Sequence, residues 1–282
     1  MFNANDTTFG IEIECTLPVT VRIEVGGYHR GCQIEGLPAG WNAQRDGSLH
    51  AARGFYAVEI VSPVLRGADG LAQVAKVCQW LNSVGAEVNS SCGLHVHVGW
   101  QGDKAALIRL TTMVANHEKG IYASTGTHSR ERSTYCRGVR NDRSMRSEFL
   151  EETGTARQFD RYHVLNLTNL QRRQPTVEFR AFAGTTNARK IAGYVRMCVG
   201  LVNKAANAKR TIKWDSKTVT ESSPVRKGGE GQTELNRLFF ALGWNKGRTA
   251  TVWGAIDTPE GCPTLADSKA KLMDLAKKYD GE

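Results

Sequence analysis

The chain has 282 residues, 40% hydrophobic and 23% charged, with a net charge of +9. That length and apolar content suit a large folded core and exclude a disordered or fibrous chain. The positive balance favours anionic partners such as phosphates, nucleotides, acidic substrates or nucleic acid, or is ordinary solubility charge.

Seven cysteines, odd in number and without a C-x-x-C pair, argue against a disulfide framework and for free thiols in a reducing compartment. The opening run MFNANDTTFGIEIE lacks a basic-plus-apolar leader pattern, and no apolar run approaches membrane length. A cytoplasmic protein with no membrane partner is expected.

In chain order, Thr7 to Cys15 reads as a strand with Glu12 and Glu14 on one face and Ile11 and Ile13 behind. Two carboxylates so close repel unless a cation sits between them, and a divalent ion is the simplest one; a solvated strand face is the alternative. Leu17 to Val25 alternates again. Gly26-Gly27 reads as a turn, with Tyr28 to Glu35 returning as the hairpin partner. Trp41 to Ser48 is a short strand running into the Asp46-Gly47 turn. Phe55 to Val61 is strongly apolar apart from Glu59, a carboxylate costly to bury unless paired or metal-bound. Ser62-Pro63 ends it, and Ala68 to Val84 has helical spacing.

Ser91 to Trp100, SCGLHVHVGW, alternates so that His95 and His97 share one face. Two imidazoles there suit a metal or phosphate site, or are simply a core or surface pair. Asp103 is a candidate N-cap for a helix to about Ser124. Thr125 to Arg146 then carries Arg130, Arg132, Arg137, Arg140, Arg143 and Arg146 with little apolar content. It reads as a mobile anion-binding lid or a solvated loop, since guanidinium forks match phosphate. Arg161 to Leu167 and Thr176 to Phe182 read as strands. In the second, Glu178 and Arg180 share a face, either as a plain ion pair or with separate jobs beside a nucleotide. Asn187 to Lys204 reads as a helix. Beyond Ala205 the signal thins to a mobile loop, Val219 to Gly231, and helices over Thr233 to Leu242 and Leu265 to Tyr279.

Taken in order, Glu12-x-Glu14, Asp46-x-Ser48, Glu59 with Ser62-Pro63, Cys92-Gly93-Leu94-His95-Val96-His97 and Thr176-Val177-Glu178-Phe179-Arg180 form an ordered set. Arg130, Tyr135-Cys136, Arg161-Tyr162 and Asn166 lie between them. This set resembles the amidoligase family, compact relatives of glutamine synthetase and glutamate–cysteine ligase, over residues 8 to 205. The resemblance implies an α+β fold: an antiparallel sheet curved into a half-barrel, helices outside, and the active site on the concave face. Residues 1–205 would be the catalytic core and 206–282 a helical extension packed on it.

The resemblance also implies chemistry. ATP, with Mg²⁺ or Mn²⁺, phosphorylates a glutamate-like carboxylate, and an amine displaces phosphate to form an amide. Glu12 and Glu14 would divide between two ions, with Glu59 completing one site and His95 and Glu178 the other. Arg180 would neutralise the moving phosphoryl group, and Arg130, Arg161 and Asp46 join it as catalytic candidates. His97, Arg180, Arg130 and Asn166 are nucleotide-binding candidates. No G-x-x-x-x-G-K-[ST] run is present, so ATP use would not go through a P-loop. Some relatives form rings, so an oligomer is compatible.

Two other readings compete. A zinc hydrolase would use His95, His97 and a glutamate to activate water, but needs fewer carboxylates and arginines. A basic nucleic-acid binder would use the arginine-rich loop and leaves the glutamate-bearing strands unexplained.

Overall fold

The sheet is built around β1 (Thr8–Pro18), whose odd-numbered side chains Phe9, Ile11, Ile13, Cys15 and Leu17 are all buried. Gly10, Glu12 and Glu14 necessarily take the opposite face. The computed structural model describes residues 6–27, 30–140, 142, 160–213, 230–245 and 261–282.

On one side of β1 lie β4 (Phe55–Val61), β3 (Asn42–Gln44) and β2 (Cys32–Gln33). On the other lie β6 (Gly93–Gly99), β8 (Thr176–Ala183) and β7 (Leu165–Asn166). The short β5 (Leu65–Arg66) pairs with the start of β1. Every pairing between these strands is antiparallel, and the order β2-β3-β4-β1-β6-β8-β7 gives a curved sheet that does not close.

Among the described residues five helices lie on the apolar side of the sheet: α1 (Gly67–Ser83), α2 (Lys104–Ala123), α3 (Ala188–Asn207), α4 (Glu230–Leu242) and α5 (Leu265–Asp280). Three have side-chain N-caps. Asp103 accepts from Ala106 N at 2.7 Å, Asn187 accepts from Lys190 N at 3.1 Å, and Thr264 forms a capping box with Asp267. Helix α3 lies behind β6, while α4 and α5 pack on α2 and α3 as an outer layer. One core joins Ile11, Leu94 and Phe179 of the sheet to Leu235, Phe239 and Leu272 of the C-terminal helices. All seven cysteines are free, and among the described residues no helix is long and apolar enough to cross a membrane.

Two expected strands differ. Leu17 to Val25 does not continue as a strand: β1 stops at Pro18, which has no N–H for the ladder, and Val21 N turns back to Pro18 O. Its expected partner also differs, because Cys32–Gln33 pairs with β3 instead; Tyr28 and His29 lie outside the described residues. Of Arg161 to Leu167, only Leu165–Asn166 joins the sheet, since Tyr162 and Val164 bond to the backbone of Arg137. The loop expected over Val219 to Gly231 lies, apart from Glu230 and Gly231, outside the described residues.

Candidate active site

Strand register converts the spacing of the charged residues into a cluster. Glu12 faces His95 on β6 and Glu14 faces Glu59 on β4, while His97 faces Glu178 on β8 and Asn166 on β7 also faces Glu178. Period-two alternation therefore puts all of them on the concave side, opposite the core. All of them except Glu14 line a chamber of about 120 Å³, together with Asp46, Arg161 and Arg180.

The contacts are close. His95 Nδ1 lies 2.9 Å from Glu12 Oε2, and His97 Nε2 lies 3.0 Å from Glu12 Oε1. His95 also approaches Glu14 at 3.6 Å and Glu178 at 3.8 Å. Arg180 Nη1 donates to Glu178 Oε1 at 2.5 Å, and Asn166 Nδ2 donates to Glu178 Oε2 at 2.6 Å. Arg180 Nε is buried with no hydrogen-bond partner among the described residues, so one guanidinium donor is left unused by the protein there. Three sets bring ligand atoms within 4.8 Å of one another: Glu12, Glu59 and His95; Glu12, His97 and Glu178; and Glu14, Asp46 and Glu59.

The electrostatics divide this cluster. Burial works against the Glu12 carboxylate, but His97 and His95 outweigh it and hold its pKa well below the ordinary value. Glu178 is lowered likewise: burial opposes ionisation, and His97, Arg180 and His95 overcome it. His97 is raised to about 9, because Glu12 and Glu178 outweigh its own burial. Glu59 goes the other way. Burial, followed by the carboxylates of Glu12, Glu14 and Asp46, pushes it up to about 9.

The other expected site residues fall in different places. Asp46 accepts from Ser48 N at 2.7 Å and Ser48 Oγ at 2.6 Å, which fixes it at the chamber edge. Asn166 braces Glu178 and accepts from Thr168 N at 2.9 Å. Arg161 lies exposed at the chamber, its guanidinium 5.5 Å from the Tyr162 ring. Glu14 lies behind the lining and accepts from Gly93 N at 2.5 Å. Arg130 is 8% exposed and outside the lining; its guanidinium faces the backbone of β8.

The arginine-rich segment is packed where it is described. Tyr122 Oη donates to Cys136 O at 2.7 Å, and Glu118 accepts from the backbone of Val139 and Arg140 at 2.7 and 3.1 Å. Through Arg140 the segment therefore has packing partners, and they come from α2, which composition within the segment cannot reveal. Asn141 and residues 143–146 lie outside the described residues.

Beyond Glu12 and His97 the chamber opens into a cleft of about 780 Å³. Its walls include Phe9, Pro63 and Trp100, with Arg66, Arg172 and Arg173 among them. Sequence reasoning assigned none of these. The available signals were Trp100 directly after the histidine strand and the Arg172-Arg173 pair just before the β8 strand.

A family model described as a putative amidoligase enzyme matches residues 39–202. No curated protein matches the chain.

Proposed function

The chain belongs to the amidoligase family, and from that premise we propose that it is an ATP- and Mg²⁺-dependent carboxylate–amine ligase. One observation carries the reading. Four glutamates, two histidines and an arginine with a free buried donor converge on a concave face that opens into a nucleotide-sized cleft.

The donor set fits a hard divalent ion, because carboxylate oxygens predominate and imidazole is tolerated. Glu14, Asp46 and Glu59 would hold one ion, and Glu12, His97 and Glu178 another, with His95 and Glu59 grouped with Glu12 as an alternative set. Bound there, Mg²⁺ or Mn²⁺ would supply positive charge to neutralise the phosphates.

The residues divide the remaining work. Trp100 gives the base an aromatic face in the cleft, and Arg66, Arg172 and Arg173 give the phosphates cationic walls. Arg180 meets the charge that develops on the phosphoryl group. A glutamate-like carboxylate attacks the γ-phosphorus and ADP leaves. The amine nitrogen then attacks the acyl carbon, inorganic phosphate leaves, and the nitrogen gives up a proton. In this reading Arg161, which lines the chamber, orients the carboxylate substrate, and a chamber carboxylate not engaged by an ion takes that proton.

The test is an ATP-to-ADP assay against panels of carboxylates and amines, read together with product mass. The expected result is metal-dependent ADP and phosphate formation that requires an amine, with a product equal to both substrates minus water. Hydrolysis of an amide without ATP, or failure to bind MgATP, would overturn the reading.

A further inference from the structure

The pairing of β6 with β8 slips by one residue. Leu94 faces Phe182 while Val96 faces Phe179, so three steps on β8 answer two on β6. The extra residue forms a bulge at Arg180–Ala181, opposite His95. Such a bulge breaks the ladder and re-aims a side chain. It also leaves carbonyls that need other donors.

Arg130 supplies those donors. Its Nη2 donates to Arg180 O at 2.7 Å and its Nε to Ala181 O at 3.3 Å. On the other edge of β8, Arg180 N donates to Val164 O at 2.9 Å. The bulge is thus held from both sides, and the Arg180 side chain leaves it toward Glu178 and the chamber. Arg130 is itself strapped in place: Cys136 Sγ donates to Arg130 O at 3.0 Å, and Tyr122 Oη donates to Cys136 O. Among the described residues no carboxylate comes within ion-pair distance of the Arg130 guanidinium, and its Nε and Nη2 are both committed to backbone.

We propose that Arg130 is a positioning residue that locks the β8 bulge and thereby aims the Arg180 guanidinium, without itself touching nucleotide or substrate. The work that Arg180 then performs rests on the ligase reading; the aiming does not. Lysine keeps the charge of Arg130 but cannot reproduce a planar two-pronged grip on adjacent carbonyls.

The experiment uses the full chain labelled with ¹⁵N-arginine, with the Arg180 Nε–H signal assigned by its loss in Arg180→Lys. In Arg130→Lys that signal should shift and broaden. MgADP affinity should stay within about twofold of wild type, the scatter expected for changes that do not interact. The tightening of MgADP produced by aluminium fluoride, a phosphoryl mimic, should fall by about tenfold or more, within the range for coupled neighbours. An unmoved Arg180 signal overturns the proposal. So does a loss of plain MgADP affinity as large as the loss of tightening, which would make Arg130 a phosphate ligand. If Arg130→Lys does not fold, Tyr122→Phe slackens the strap with both arginines intact. It should move the same signal, and an unmoved signal there counts against the proposal. Wild-type protein that binds no MgADP would sink the ligase reading, and the Arg180 signal would still decide the positioning role.

Discussion

The two ends of the chamber have the same origin and opposite electrostatics. Both arise from alternate residues on neighbouring antiparallel strands. At the β6–β8 end, Glu12 and Glu178 sit against His95, His97 and Arg180, so each carboxylate has an internal cation. At the β1–β4 end, Glu14, Asp46 and Glu59 crowd together, and Glu59 retains its proton up to about pH 9. The first end is compensated by the protein; the second is left short of positive charge. The difference teaches that burial alone does not make a cation site. The end that lacks its own cations depends on an outside one for any compensation, while at the other end an incoming ion competes with His97 and Arg180 for the same carboxylates.

The largest expected effect tests the compensated end. Arg180→Lys should fold and still bind MgATP, because Glu178 keeps a cationic partner. Turnover should nevertheless fall by about 10³-fold or more, the scale for arginines that stabilise a transferring phosphoryl group. Near-normal turnover would reduce Arg180 to a structural ion pair.

Next comes a paired comparison across the ends. Glu59→Gln replaces a group that is already protonated in the metal-free protein, so its stability should change by less than about 1 kcal/mol. Its Mn²⁺ affinity should fall by at least about 10–100-fold, a loss seen even for residues that only support metal ligands. Glu12→Gln should do the reverse for stability. It strips the shared partner from two histidines and should cost about 2 kcal/mol. Thermal melts and Mn²⁺ titrations of both variants decide the matter; equal losses from both would erase the distinction between the ends.

The pH dependence follows from the same groups. Glu59 is raised to about 9 from its ordinary 4.5, and His97 to about 9 from 6.5. Between pH 6.5 and 9 the folded chain therefore holds more protons on both than the unfolded chain does. Stability of the metal-free protein should fall as pH rises through that window. Metal affinity should rise over the same window, because binding must displace those protons. Melting curves in chelator and in Mg²⁺ should diverge with increasing pH; parallel curves would show that no cation replaces the protons.

Much of this contrast is legible in the sequence, because strand faces follow from period-two spacing. Glu12-x-Glu14, His95-x-His97 and Glu178-x-Arg180 each name their face without any structure. What the sequence hides depends on register between distant strands. The β8 bulge comes from how β6 meets β8, and no local pattern around Arg180 announces it. Arg130 shows the same limit. Within an arginine-rich run it resembles a phosphate ligand, yet its partners are backbone carbonyls fifty residues away, which carry no sequence signature. Asn166 is legible as a polar residue near the site, but its bond to Glu178 appears only once β7 pairs with β8.

The smallest expected effect concerns Gly93, where the two ends meet. A methyl group there would stand 3.2 Å from Glu14 Oε2, 3.2 Å from His95 Nε2 and 3.4 Å from Arg130 Nη2. These distances are tight but not impossible, so the neighbours would have to yield by a few tenths of an ångström. Glu14 is the one to move, because its bond to Gly93 N runs directly past the new methyl group. Arg130 is held by two carbonyls and His95 by Glu12. Gly93→Ala should therefore cost about 1 kcal/mol, the low end for an added methyl group in a packed site. The shift should press Glu14 toward Glu59 and weaken Mn²⁺ binding only severalfold, leaving the Arg180 Nε–H signal where it was. A displaced Arg180 signal in Gly93→Ala would mean that the two ends move as one unit, and that their contrast is electrostatic without being mechanical.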